Sequence, residues 1–152
     1  MKKILILLIG FSFAESVGTD EQQILNIMNN YKDAFIIADY KSIIEYFTLP
    51  ISFNFNQKTI HVNSKFKLKH FYKTIRGSLP EFYAYSRWEN MSVRVLSERI
   101  AVVNTIYSRY DRNNRIFNSG SALYFLRKID KEWKFFSLTS YEFSNYFNLE
   151  TQ

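Results

Sequence analysis

The chain has 152 residues, the size of one domain, and is long enough to bury a core without disulfides or metals. Apolar residues at 47% and charged residues at 22% argue against a disordered chain, and the lack of cysteine excludes disulfides, thiolate catalysis and thiolate metal sites. A formal charge of +6 suits solubility and mild attraction to anionic surfaces, and does not by itself imply nucleic acid.

Aromatic residues reach 18%, with 15 Phe and 11 Tyr, which favours a strand-rich fold. A skewed composition would produce the same excess, so aromatic content alone is no binding signature. Met1-Lys2-Lys3 is a basic head, and Ile4 to Ala14 is an apolar run that would span only about 16 Å as a helix. A hydrocarbon core of about 30 Å is too thick for it to cross as a stable anchor. Ser12-Phe13-Ala14 offers small residues for cleavage, so residues 1–14 read as an export signal and the protein as periplasmic or secreted. Removing Lys2 and Lys3 with that segment lowers the charge from +6 to +4.

Thr19 and Asp20 open a helix whose apolar line is Ile24, Ile27, Met28, Tyr31, Phe35 and Ala38. Asp39 caps a second helix, Tyr40 to Phe47, which Pro50 stops. Ile51 to Phe55 alternates as a strand, and Asn56-Gln57-Lys58 turns it into Thr59 to Val62. Asn63 or Ser64 caps a third helix that runs to about Arg76, with Leu68, Phe71, Tyr72 and Ile75 facing inward and Gly77 as terminator. Four strands follow, over about 83–96, 99–110, 116–128 and 133–143.

Helices first and an antiparallel meander afterwards make the fold class α+β, with the helices on one face of the sheet. The last strands carry apolar residues at both parities, as in Leu123-Tyr124 and Phe135-Phe136. The uncovered sheet face is then partly apolar as well, and a homodimer is the simplest arrangement that covers it.

Two stretches, Met28 to Tyr31 with Ala38 to Phe47 and Asp130 to Phe135, resemble the nuclear transport factor 2-like superfamily, which includes SnoaL-like proteins and ketosteroid isomerases. The likeness extends over nearly the whole chain from residue 20 to 145. It implies a cone-shaped domain, with N-terminal helices packed on a strongly curved, mostly antiparallel sheet. The isomerases use an aspartate base, with a tyrosine and a protonated aspartic acid as the oxyanion site. The matching positions here are Phe55 for the base, Tyr31 for the tyrosine and Phe125, or a near neighbour, for the second donor. Phenylalanine neither accepts nor donates a proton, so isomerase chemistry is not expected. The same register implies that Tyr31, Phe55, Phe125 and Leu138 look into the cone, with Ser140 and Glu142 nearer its mouth. Those rings either fill the cone or leave an apolar pocket.

His61 and His70 have no carboxylate at ligand spacing, so no metal or other cofactor is expected. No G-x-S-x-G elbow or phosphate-cradling glycine loop occurs, and Gly120 within a strand pattern marks a bulge or a close backbone approach. Lys65, Lys69, Lys73 and Arg76 share one face of the third helix and read as a solvated surface, suited to weak contact with an anionic envelope surface and not to nucleic acid. The expected function is non-catalytic binding of a small apolar ligand by an exported SnoaL-like domain. Two alternatives stay open: a homodimeric interaction module of the cell envelope, and an enzyme of unknown reaction working through Tyr31, Glu142 or Asn104.

Overall fold

The computed structural model describes residues 19–149, so the expected export segment at 1–14 lies outside the described residues. Thr19 opens helix α1 (Asp20–Ile36) by accepting a hydrogen bond from the Gln22 amide at 3.3 Å. Asp20 and Glu21 then place negative charge at the positive end of the helix. The helix buries Ile24, Met28, Tyr31, Ala34 and Phe35. Ala38, expected on the same face, instead lies past the helix end with φ 57°.

Asp39 follows and caps α2 (Tyr40–Glu45), accepting from the Ser42 amide at 3.1 Å. A left-handed alanine carries a steric cost that glycine avoids, so Ala38→Gly is expected to stabilise the protein by about 0.5–1 kcal/mol, net of glycine's greater freedom when unfolded. Urea unfolding monitored by circular dichroism measures it, and a lowered midpoint would contradict the assignment.

The second helix is shorter than expected because Phe47 already belongs to strand β1 (Phe47–Phe55). Pro50 therefore does not stop a helix; it sits within a strand. It fits there because neither neighbouring strand asks it for a hydrogen bond. The ladder to β2 (Lys58–Val62) begins at Ile51, and the ladder to the last strand skips from Phe47 to Ser52.

Ser64 caps α3 (Lys65–Gly77), accepting from the Lys67 amide at 3.3 Å. The helix buries Leu68 and Tyr72 and half-buries Phe71 and Ile75. Gly77 is its last residue without a positive φ, and Ser78 serves as the C-cap. The expected basic face divides in two. Arg76 turns inward, donating to the carbonyls of Phe35 and Ile36 at 3.3 and 3.2 Å and lying 4.4 Å from the Tyr83 ring centroid. That places a cation on the negative end of α1. Lys65 pairs with Glu45 at 2.7 Å, while Lys67, Lys69 and Lys73 remain in solvent.

The meander comprises β3 (Tyr83–Ser97), β4 (Ile100–Asp111), β5 (Ile116–Ile129) and β6 (Glu132–Tyr141). Among the described residues the curved sheet has six strands in the order β2-β1-β6-β5-β4-β3, antiparallel except where β1 runs beside β6. A two-residue turn with positive φ at both Asp130 and Lys131 joins β5 to β6, the geometry that matches strand twist in a hairpin.

The helices cover the inner face, where Tyr31, Phe47, Tyr72, Tyr124 and Phe135 pack ring against ring. On the outer face, part of the cover is the chain's own C-terminal segment. β6 ends at Tyr141, two residues before the expected Phe143, and a short 3-10 turn (Phe143–Asn145) leads the chain back. The Phe147 carbonyl then accepts from Asn104, and the Leu149 amide donates to Ser92 at 3.1 Å.

Candidate functional site

Strand alternation decides which side chains reach the inner face. On β4, Tyr107 and Arg109 point inward, and on β5 Ala122 and Tyr124 do; Leu138 and Ser140 follow on β6. With Tyr31 and Lys32 of α1, Phe53 and Phe55 of β1, Tyr72 of α3 and Trp88 of β3, they enclose a half-open cavity of about 240 Å³. The deep end of the cone is filled by packed rings, and the wide end is hollow.

Tyr31, Phe55, Leu138 and Ser140 line this cavity. Phe125 does not. Its neighbour Tyr124 stands opposite Leu138 and Val103 on the inner face, so Phe125 projects outward and packs on Phe136 with ring centroids 6.2 Å apart. Glu142 lies just beyond β6, lines an adjacent hollow that shares Phe55 and Ser140, and accepts from Asn56 at 3.2 Å. Asn104, weighed as a catalytic group, is fully buried on the outer face between Tyr141 and the Phe147 carbonyl.

Three phenols form the polar floor. The Tyr31 hydroxyl lies 3.0 Å from that of Tyr72, and Tyr124 meets the Tyr31 ring edge-on with centroids 6.0 Å apart. Burial pushes all three phenols well above the usual tyrosine range, so they stay neutral donors and acceptors. The Arg109 guanidinium acts in the opposite direction on Tyr31 and Tyr124.

Near the mouth, Arg109 donates to Asn118 Oδ1 at 3.2 Å and lies 5.2 Å from the Tyr107 ring centroid. Tyr107 can lie flat here because Gly120 is its cross-strand partner: a Cβ at position 120 would come within 2.5 Å of the Tyr107 hydroxyl. The expected bulge or close backbone approach at Gly120 is not what the structure has: the ladder is regular there, and what approaches is a side-chain ring.

No carboxylate or imidazole belongs to the described lining. Lys32 and Arg109 are its charged members, and both are cations. His61 is occupied elsewhere, its Nδ1 lying 3.0 Å from Ser52 Oγ on the exposed hairpin. Among the described residues no group of three His, Asp or Glu could hold a metal ion. The described lining offers apolar walls, neutral phenols and cationic charge.

From the sequence Arg109 reads only as part of a basic surface, and Tyr107 and Tyr124 are not assigned to the cavity, although parity along β4 and β5 carried the signal. Once Ala122 and Leu126 are inward, Tyr124 must be too. Register across strands was needed to fix which parity faces the helices.

The sequence model of a family described as NTF2-like protein (DUF6841) matches residues 20–143. Among curated proteins, none matches the chain. Solved structures share the fold at low identity. A protein of unknown function with a cystatin-like fold from Nostoc punctiforme superposes with a TM-score of 0.68 at 11% identity, covering 80% of this chain and 89% of that one. An NTF2-like protein of unknown function from Shewanella oneidensis gives 0.65 at 16%, covering 80% and 98%. An NTF2-like protein with a cystatin-like fold from Novosphingobium aromaticivorans gives 0.68 at 9%, covering 84% of each.

Proposed function

We propose, from the premise that this chain belongs to the NTF2-like (DUF6841) family, that it is a non-catalytic binding protein for a small, largely apolar molecule held in the cone. The observation that carries this reading is the cavity of about 240 Å³ between the helices and the inner sheet face, walled by rings and alkyl groups. Apolar pockets with a few placed polar groups are the usual form of a small-molecule site. A dry apolar cavity of about 150 Å³ already admits benzene, so this one accepts a single ring with a substituent. The lack of a proton-accepting group in the described lining favours binding over turnover. The location proposed with this role, periplasmic or secreted, rests on the basic and apolar head of residues 1–14.

The test is a two-dimensional amide NMR titration with toluene. Resonances of Tyr31, Ala122 and Leu138 are expected to shift together and saturate. Leu138→Trp places a larger ring in the hollow and is expected to weaken binding at least tenfold while the remaining spectrum stays native. A titration that leaves those resonances in place would overturn the reading.

A further inference from the structure

Arg109 is placed in a way that packing alone does not require. Its guanidinium lines the cavity, yet no carboxylate among the described residues pairs with it. Its contacts are a neutral amide, Asn118 Oδ1 at 3.2 Å, and the face of Tyr107 at 5.2 Å. A guanidinium presents five donors in a planar fork, and one amide oxygen uses a single position of it. Lys32 differs, because Asp33 lies 3.1 Å from its ammonium and partly cancels its charge. Of the carboxylates in this part of the fold, Glu142 belongs to the adjacent hollow and is hydrogen-bonded by Asn56, and Asp111, two residues along β4, is paired with Arg115 at 2.9 Å.

A cation left without a counter-charge beside an apolar cavity is a site for an anion whose body is apolar. We infer that the ligand of the cone is an organic carboxylate, its apolar part against Tyr31, Ala122 and Leu138 and its carboxylate on the fork of Arg109. This rests on the binding role proposed above and adds the charge and polarity of the ligand. Orientation follows from the same geometry. The deep end offers rings and neutral phenols, which suit a hydrocarbon or aromatic body. Water at the half-open mouth solvates whatever part of the carboxylate Arg109 leaves exposed.

Three small molecules of similar shape separate the two claims: benzoate, its neutral counterpart benzamide, and toluene, each titrated by amide NMR. Benzoate is expected to bind at least tenfold more tightly than benzamide, and added salt should erode that difference. Arg109→Gln is expected to remove the preference and to weaken toluene far less than benzoate. Arg109→Lys keeps the charge, loses the fork and should fall between, which provides the reading if the glutamine variant folds poorly. Equal affinities for benzoate and benzamide would overturn the carboxylate assignment and leave the apolar site standing. If none of the three binds, the binding role falls with it.

Discussion

Trp133→Ala is expected to cost about 3–5 kcal/mol, the range for truncating a large buried aromatic, and to lower the thermal midpoint accordingly. Trp133 is 1% exposed and joins three elements. Its ring packs in the core at the start of β6, its Nε1 donates to Asp20 Oδ1 at 3.1 Å, and the Lys128 ammonium of β5 lies 5.4 Å from its centroid. Lys128 also pairs with Asp20, so the first turn of α1 is fastened to the β5–β6 hairpin through one carboxylate.

Trp133→Phe keeps most of the packing and loses the donor, for an expected cost of about 1–2 kcal/mol. The pair of variants also makes a statement about acid. The hydrogen bond from Lys128, and then that from Trp133, holds the Asp20 carboxyl below its ordinary range. A carboxyl depressed in the folded state stabilises above its unfolded pKa of about 3.9, and that contribution is lost as pH falls through the folded value. Stability should therefore decline below about pH 4. The decline should be shallower in Trp133→Phe, and shallower again in Asp20→Asn. Urea midpoints across pH 2.5–6 measure it, and parallel curves for all three proteins would refute the Asp20 fastening.

Gly120→Ala is expected to destabilise by about 1–3 kcal/mol, although alanine in a strand interior ordinarily gains about 0.5–1 kcal/mol over glycine. The sign reverses because the new Cβ would meet the Tyr107 hydroxyl, Cζ and Cε1 at 2.5, 2.6 and 2.9 Å. The ring must swing away, and it carries two neighbours with it. One is the cavity wall that Tyr107 forms; the other is Arg109, stacked on its face. Benzoate binding should fall about tenfold, with toluene affected less. In Tyr107→Ala the ring is already gone, so adding Gly120→Ala should cost nothing further and should recover the ordinary gain. A double-mutant cycle with an interaction term near zero would remove Tyr107 as the reason for this glycine.

How far the site could be foreseen varied by residue. Tyr31 was legible because helix periodicity alone points it inward, and the structure buries it beside Tyr72. Leu138 and Ser140 reach Phe135's face only through the irregularity opposite Phe125 and Leu126, so strand alternation alone does not place them there. Phe125 was misplaced because one residue of register exchanges the two faces of a strand, and Tyr124 occupies the inner position instead. Pro50 shows a second weakness. A proline reads as a helix stop, and whether a strand tolerates it depends on neighbours distant in sequence.

The sequence by itself determined the order of the elements, the cap at Asp39, the candidates for the other two caps (Thr19 or Asp20, and Asn63 or Ser64), and the α+β class. These follow from short-range chemistry: cap side chains reach amides three residues on, and period 3.6 or 2 is written within a few residues. Only the tertiary structure decided that the wide end of the cone stays hollow, that Arg109 faces it with no carboxylate partner among the described residues, and that segment 142–149 returns across the outer face. Those features depend on which residues meet across strands and between helix and sheet. Long-range packing sets such meetings, and no local pattern records them.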